Sequence, residues 1–172
     1  DVYKRQPIAR IPAEHYDVVD EYVKVFGVLY RVPRTTTKVQ TTIIAINVGG
    51  ALVPSLLSFY VLYSYISILP QAVLGIFIVA IVAHLVARPT RGVGIVTPAF
   101  VPPIVAALTA ILIPSNAPYA IAYVSGVLGT LIGADLTNLP AIPSIGARMA
   151  SIGGAGTFDG VFLSGIMAVL LA

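Results

Sequence analysis

Two aspartates lie in apolar, glycine-rich stretches in the second half of this 172-residue chain. Asp135 lies in Gly-Ala-Asp-Leu-Thr-Asn-Leu (133–139), and Asp159 lies in Gly-Gly-Ala-Gly-Thr-Phe-Asp-Gly (153–160). They are the only acidic residues after Glu21. An ionisable side chain inside a membrane costs about 2.5–3.5 kcal/mol even on lenient insertion scales. Both aspartates are therefore candidates for a functional site.

The chemistry that such a pair can perform is acid–base catalysis. Two carboxylates held close together cannot both be ionised cheaply, so they share one proton. One can then activate water as a base, while the other protonates a carbonyl oxygen or a leaving amine. The two residues are 24 positions apart (159 − 135), which suits two helix ends that meet across a folded-back loop. The first hypothesis is an intramembrane aspartyl hydrolase of peptidase type, with Asp135 and Asp159 as catalytic residues.

Other interpretations of the aspartates remain open. Asp135 could cap the turn at Thr137 and Asn138 or pair with Arg148, and Asp159 could cap the last helix. A small transporter or channel could use both carboxylates to couple a cation or a proton. A non-catalytic membrane scaffold is the third possibility.

Further residues are expected around the pair. Asn47, beside Gly49 and Gly50, is expected to satisfy backbone groups that a glycine break leaves free, or to line the same cavity. The residues predicted to line a substrate cavity are Asn47, Gly133, Asn138, Gly156, Thr157 and Gly160. The chain has no cysteine and two histidines far apart in sequence, so neither a metal site nor a cofactor is expected.

Composition indicates a polytopic integral membrane protein. The chain is 58% hydrophobic and 10% charged, with a mean hydropathy of +0.95, whereas a soluble domain carries about 25% charged residues. The expected partners are the lipid bilayer and a membrane-embedded peptide substrate. A nucleic-acid partner is not expected, because the net charge of +3 comes mostly from basic residues that flank apolar stretches. The sequence leaves the oligomeric state open.

The predicted fold is an all-α bundle of about five transmembrane helices. The spans are placed at 51–69, 71–87, a stretch that ends near 113, 118–135 and 157–172. Prolines and glycines between 92 and 103 predict a broken or re-entrant segment.

The chain is divided into a polar N-terminal segment (1–42) and a transmembrane domain (43–172). The first segment can contain β-structure, because the β-branched run at 35–48 favours an extended conformation. The chain does not start with Met, and its first residues are given no structural weight.

Basic residues predict the orientation. They lie before the first span, after the second, and between the fourth and fifth, so all are on one side if the N-terminus is cytoplasmic. These residues are Arg31, Arg34, Lys38, Arg88, Arg91 and Arg148. Both aspartates are then expected at the cytoplasmic ends of the last two spans.

Small residues predict where helices approach closely. The stripe on the fourth span is Ser125, Gly129 and Gly133, and the stripe on the last span is Gly156, Gly160, Ser164 and Ala168. On an ideal helix Asp135 lies about 200° round from Gly133. Either the helix loosens after Gly133, or Asp135 faces another neighbour.

Three motifs carry a resemblance to a known family. They are Asn-Val-Gly-Gly-Ala-Leu-Val-Pro (47–54) and the two aspartate motifs at 133–139 and 153–160. Over about 31–172 the chain resembles the uncharacterised membrane-protein family of bacteria and archaea known as DUF1614. The resemblance implies a prokaryotic inner or cell membrane and supplies no activity.

The aspartate pattern is also similar to that of presenilins, signal peptide peptidases and prepilin peptidases. Those intramembrane aspartyl proteases place one aspartate on each of two adjacent spans, the second in a Gly-x-Gly-Asp motif. Here Gly156 precedes Asp159 by three residues, and Phe158 replaces the second glycine. This similarity implies the hydrolysis of a peptide bond within the membrane.

Overall fold

The chain folds into a long two-stranded β-ribbon joined to a group of apolar helices. A computed structural model describes residues 5–25, 28–90, 94–145, 149–154 and 160–172. In chain order the strands and helices are β1 (Arg5–Val25), β2 (Val28–Asn47), α1 (Val53–Ser64), α2 (Leu69–Val86), β3 (Arg88–Thr90), β4 (Gly94–Val96), α3 (Val101–Leu112), α4 (Pro118–Val124), α5 (Ile142–Ile145), β5 (Met149–Ile152) and α6 (Gly160–Leu171). The fold is mixed α/β, and the prediction of an all-α protein was wrong.

The β-ribbon is formed by β1 and β2, which pair antiparallel along their whole length. The register runs from Arg5 opposite Asn47 to Val25 opposite Val28. At about 3.3 Å per residue, each strand extends for about 70 Å. The β-branched run at 35–48 is extended as far as Asn47, as expected. The strand β2 runs through the predicted boundary at residue 42, and that division into two domains stays a prediction.

A third strand joins the base of the ribbon. The strand β5 pairs parallel to β2, with Ile43 opposite Met149 and Ile46 opposite Ile152. The carboxyl ends of β2 and β5 therefore lie side by side. A pair of glycines follows closely after each of these ends.

Among the described residues, two helices are long and apolar enough to cross a membrane. The first long helix is Ile66–Val86, with 21 residues, and the second long helix is Pro118–Ile145, with 28 residues. The other apolar helices have 10–17 residues, whereas a crossing needs about 20. The five-span bundle was therefore wrong. Its predicted first span (51–69) is interrupted, because α1 ends at Ser64 and a 3-10 turn follows at Ile66–Ile68.

The two long helices run parallel and pack through small residues. A Cβ atom placed at Gly129 would lie 2.6 Å from Cβ of Val79, and Gly133 lies against the backbone of Ala80. The predicted close approach along the stripe of Ser125, Gly129 and Gly133 is confirmed, with the first long helix as the partner. The helix α6 packs on the next face, where a Cβ atom at Gly126 would lie 2.9 Å from the carbonyl oxygen of Ser164.

The segment rich in proline and glycine between the long helices contains a short pair of strands and the start of a helix. The strands β3 and β4 pair antiparallel, with Arg88 opposite Val96 and Thr90 opposite Gly94. The helix α3 then begins at Val101 with two prolines in its first turn. Proline is tolerated there because the first N–H groups of a helix have no partner within the helix. The prolines thus start a helix instead of breaking one.

Candidate functional site

Asp135 lies where the second long helix changes its winding. The segment Leu131–Asp135 is a π-helical turn, and Leu136–Ala141 continues as a 3-10 helix. The sequence left two alternatives for Asp135, and the structure shows the one in which the helix loosens near Gly133. The backbone N–H of Gly153 donates to Oδ2 of Asp135 at 2.6 Å. Asp135 therefore binds the turn that follows β5, and its side chain does not cap the 3-10 helix at Thr137 as one interpretation expected.

The turn after β5 strongly favours glycine at both of its positions. Gly153 and Gly154 have φ angles of +78° and +76°, in the left-handed region that side chains disfavour. A Cβ atom at Gly153 would also lie 2.7 Å from the backbone nitrogen of Ala51. The turn after β5 thus rests against the turn after β2, and this contact presents the N–H of Gly153 to Asp135.

Asn47 connects the two glycine turns. Its side chain is 5% exposed. Its Oδ1 accepts hydrogen bonds from the N–H groups of Gly49 at 3.1 Å and Gly50 at 3.2 Å, and its Nδ2 donates to the carbonyl oxygen of Gly154 at 3.3 Å. The expectation that Asn47 satisfies freed backbone groups is confirmed. Its predicted place in a substrate cavity stays a prediction.

Replacing Asn47 by Asp is expected to lower the free energy of unfolding by about 1–3 kcal/mol, because the partly buried carbonyl of Gly154 loses its donor. The new carboxylate still accepts from Gly49 and Gly50, so the shape of the turn is kept. Thermal unfolding in detergent measures the change. The control is Asn116→Asp, at an exposed loop position, which should unfold like the wild type. An equal loss of stability in both variants would contradict the role of Asn47.

Polar side chains stabilise the irregular helix around Asp135. Nδ2 of Asn138 donates to the carbonyl oxygens of Gly133 at 3.3 Å and Ala134 at 3.0 Å. The hydroxyl of Thr137 donates to the same carbonyl of Gly133 at 2.6 Å. These bonds satisfy carbonyl groups at the point where the winding changes.

His84 links the first long helix to this segment. Its Nδ1 lies 2.8 Å from Oγ1 of Thr137. Because the Thr137 hydroxyl donates its proton to Gly133, the histidine must carry a proton on Nδ1 and act as the donor. Nothing in the sequence indicates this contact, since Thr137 lies 53 positions after His84.

The structure brings part of the predicted site together. Asn47 and Asp135 both bind the turn of Gly153 and Gly154. Gly133 packs against Ala80. Asn138 binds the carbonyls before Asp135, and Gly160 begins α6. The predicted residues outside the described part of the chain are Gly156, Thr157 and Asp159, together with the alternative partner Arg148. The catalytic roles stay predictions.

The surroundings of Asp135 leave one carboxylate oxygen available. Within the described ranges, Oδ1 of Asp135 has no hydrogen-bond partner and no Lys or Arg forms an ion pair with it. In the same ranges, no three His, Asp or Glu side chains are grouped as metal ligands would be. The free oxygen can therefore accept a hydrogen bond from water or from a substrate.

Comparison with known proteins places the chain in a family. A family model described as "Protein of unknown function (DUF1614)" matches residues 6–171. The chain belongs to this family. The match confirms the resemblance carried by the motifs at Asn47, Asp135 and Asp159. No curated protein and no solved structure matches the chain, and the similarity to intramembrane aspartyl proteases gains no support from these comparisons.

Proposed function

We propose that this member of the DUF1614 family is an intramembrane aspartyl hydrolase that cleaves a peptide bond, with Asp135 and Asp159 as its catalytic pair. The observation that carries the proposal is the setting of Asp135. Its carboxylate is half-buried where two glycine turns meet, one oxygen is fixed by Gly153, and the other has no partner among the described residues. A carboxylate held in this way is oriented for proton transfer.

The packing of α6 supports the choice of Asp159 as the partner. The hydroxyl of Thr130 donates to that of Ser164 at 3.0 Å, and a Cβ atom at Gly126 would lie 3.3 Å from Cβ of Ala168. Gly126 lies four residues before Thr130, and Ala168 lies four residues after Ser164, so the second long helix and α6 are antiparallel. In the opposite direction along both helices, position 135 lies five residues after Thr130 and position 159 lies five residues before Ser164. On this ground we choose Asp159, five positions before Ser164, as the proposed partner of Asp135, five positions after Thr130.

The proposed reaction is the addition of water to an amide. The ionised aspartate takes a proton from water, whose oxygen bonds to the carbonyl carbon, and the protonated aspartate gives its proton to the carbonyl oxygen. The carbon–nitrogen bond of this tetrahedral species then breaks as the nitrogen takes the proton that the first aspartate accepted from water. The second aspartate recovers a proton from a hydroxyl of the same species, which yields a carboxylic acid and an amine. The Gly153 N–H fixes one oxygen of Asp135 and leaves the other to face the water.

We also propose a prokaryotic membrane with the site at the cytoplasmic surface. The two long helices are parallel, so both end on the side where His84 contacts Thr137. Arg88 follows the first long helix on that side, whereas residues 64–70 and 114–117, at the other end of the two helices, carry no charge. The excess of basic residues favours a cytoplasmic position for the site.

Disulfide formation between positions 135 and 159 tests the catalytic pair. The chain has no cysteine, so a variant with Asp135→Cys and Asp159→Cys contains no other thiol. A disulfide requires Cβ atoms about 3.5–4.5 Å apart, and we expect rapid oxidation in a membrane preparation. The control combines Asp135→Cys with Leu170→Cys, near the far end of α6, and should stay reduced. If the first variant also stays reduced, the two aspartates do not meet and the hydrolase proposal fails.

A further inference from the structure

The β-ribbon carries an apolar face far from the helices. Opposite residues of an antiparallel pair share a face, and successive residues alternate between faces. The register pairs Val19 with Arg34, Glu21 with Val32, and Val23 with Tyr30. On this side, called the apolar face, the hydrophobic side chains are Val19, Val23, Tyr30 and Val32, with exposed fractions of 43%, 40%, 55% and 45%. The opposite side, called the polar face, carries Asp20, Tyr22, Lys24, Arg31 and Pro33.

Nothing in the described part of the chain covers the apolar face. The strand β5 pairs with β2 only at Ile43–Ile46, and nine residues from there to Arg34 correspond to about 30 Å along the strand. An isolated two-stranded hairpin is marginally stable in water, whereas a sheet whose apolar face packs against another layer is stable. The distal ribbon therefore needs a partner.

We propose that the partner is a second copy of this chain, with two ribbons packed apolar face to apolar face. The charges favour this choice. Glu21 and Arg34 lie on the apolar face and form an ion pair at 2.9 Å, so the described side chains of this face include one charge of each sign. A second copy related by a two-fold axis presents the same apolar strip and the same pair of charges, and each charge can meet its opposite. A lipid bilayer would instead remove Glu21 from water without a new partner.

Two matched tyrosines test the proposal. Tyr30 lies on the apolar face and Tyr22 on the polar face, one register position away, and both are exposed. Light scattering on the full chain in detergent and in nanodiscs measures the molecular mass against concentration. We expect a dimer for the wild type, a dissociation constant raised at least tenfold in Tyr30→Lys, and no change in Tyr22→Lys. A monomeric wild type, or equal effects of the two variants, would overturn the proposal.

Single cysteines give a second measurement that does not depend on weakening the dimer. Val32→Cys places a thiol on the apolar face and Arg31→Cys places one on the polar face. A short bifunctional maleimide should cross-link the first variant into dimers and leave the second monomeric. An environment-sensitive dye at position 32 should be shielded in detergent without added lipid. Shielding that appears only with lipid vesicles, in a monomeric protein, would assign the face to the bilayer and refute the dimer.

Discussion

Replacing Gly133 by Ala is expected to lower the free energy of unfolding by about 3 kcal/mol or more. A Cβ atom at this position would lie 2.7 Å from Cα of Ala80 and would overlap its carbonyl oxygen. These are backbone atoms of the first long helix, so no rotation of a side chain can relieve the overlap. The two long helices would have to separate along the stripe that holds them together. Denaturation in mixed micelles, followed by circular dichroism, measures the loss.

The matched control for Gly133→Ala is Gly160→Ala. Among the residues that the structure describes, no atom outside the local chain lies within 4 Å of a Cβ atom built at Gly160. Alanine also favours a helix over glycine by about 1 kcal/mol, so this variant should be as stable as the wild type or slightly more stable. If Gly133→Ala and Gly160→Ala have the same free energy of unfolding, the two long helices are farther apart than in this structure.

Replacing Asp135 by Asn is expected to reduce peptide hydrolysis by about 10²–10⁴-fold, because the amide cannot take or give the proton. The fold should be almost unchanged, since the Asn carbonyl oxygen can still accept the hydrogen bond from Gly153. The measurement is cleavage of a fluorogenic peptide with an apolar segment, in vesicles that contain the full chain. Asp159→Asn should have a similar effect.

A matched substitution on the β-ribbon distinguishes a loss of catalysis from an effect that any Asp-to-Asn change would have. Asp20→Asn makes the same chemical change at an exposed position that pairs with Arg31, and it should leave hydrolysis unchanged. Full activity in Asp135→Asn would refute the hydrolase. A loss of proton-driven uptake into vesicles, without any hydrolysis by the wild type, would favour the transporter. A change in stability alone would favour the scaffold.

The sequence predicted apolar helices but not their lengths. Composition fixes the presence of apolar segments, because no soluble core needs so few charges. The length of a helix depends on where competing structure begins. The residues before Asn47 extend by pairing with β1 and β5, and the pairing with β1 joins positions 33 apart at Ile43 (43 − 10) and 42 apart at Asn47 (47 − 5). Strand pairing between distant positions has no local signal, so the full ribbon could not be predicted.

For the candidate site, the sequence likewise predicted individual residues but not the contacts between them. Asp135 and Asn47 are recognisable because polar side chains are rare in apolar, glycine-rich stretches. The partner of Asp135 was not recognisable, because Gly153 reaches it only after β5 pairs with β2. The contact of His84 with Thr137 likewise depends on how two long helices are aligned. In each case the missing information was the alignment of distant segments.

The parallel arrangement of the two long helices has an electrostatic consequence. Each helix carries about half a negative charge at its carboxyl end, and in antiparallel neighbours such dipoles would largely cancel. Here the dipoles of Ile66–Val86 and Pro118–Ile145 point the same way and add, so this end of the pair is electronegative. His84 in the last turn and Arg88 just beyond it lie where a positive charge is most favourable. Basic residues at this surface thus stabilise the helix pair itself, in addition to any part they play in orienting the chain in a membrane.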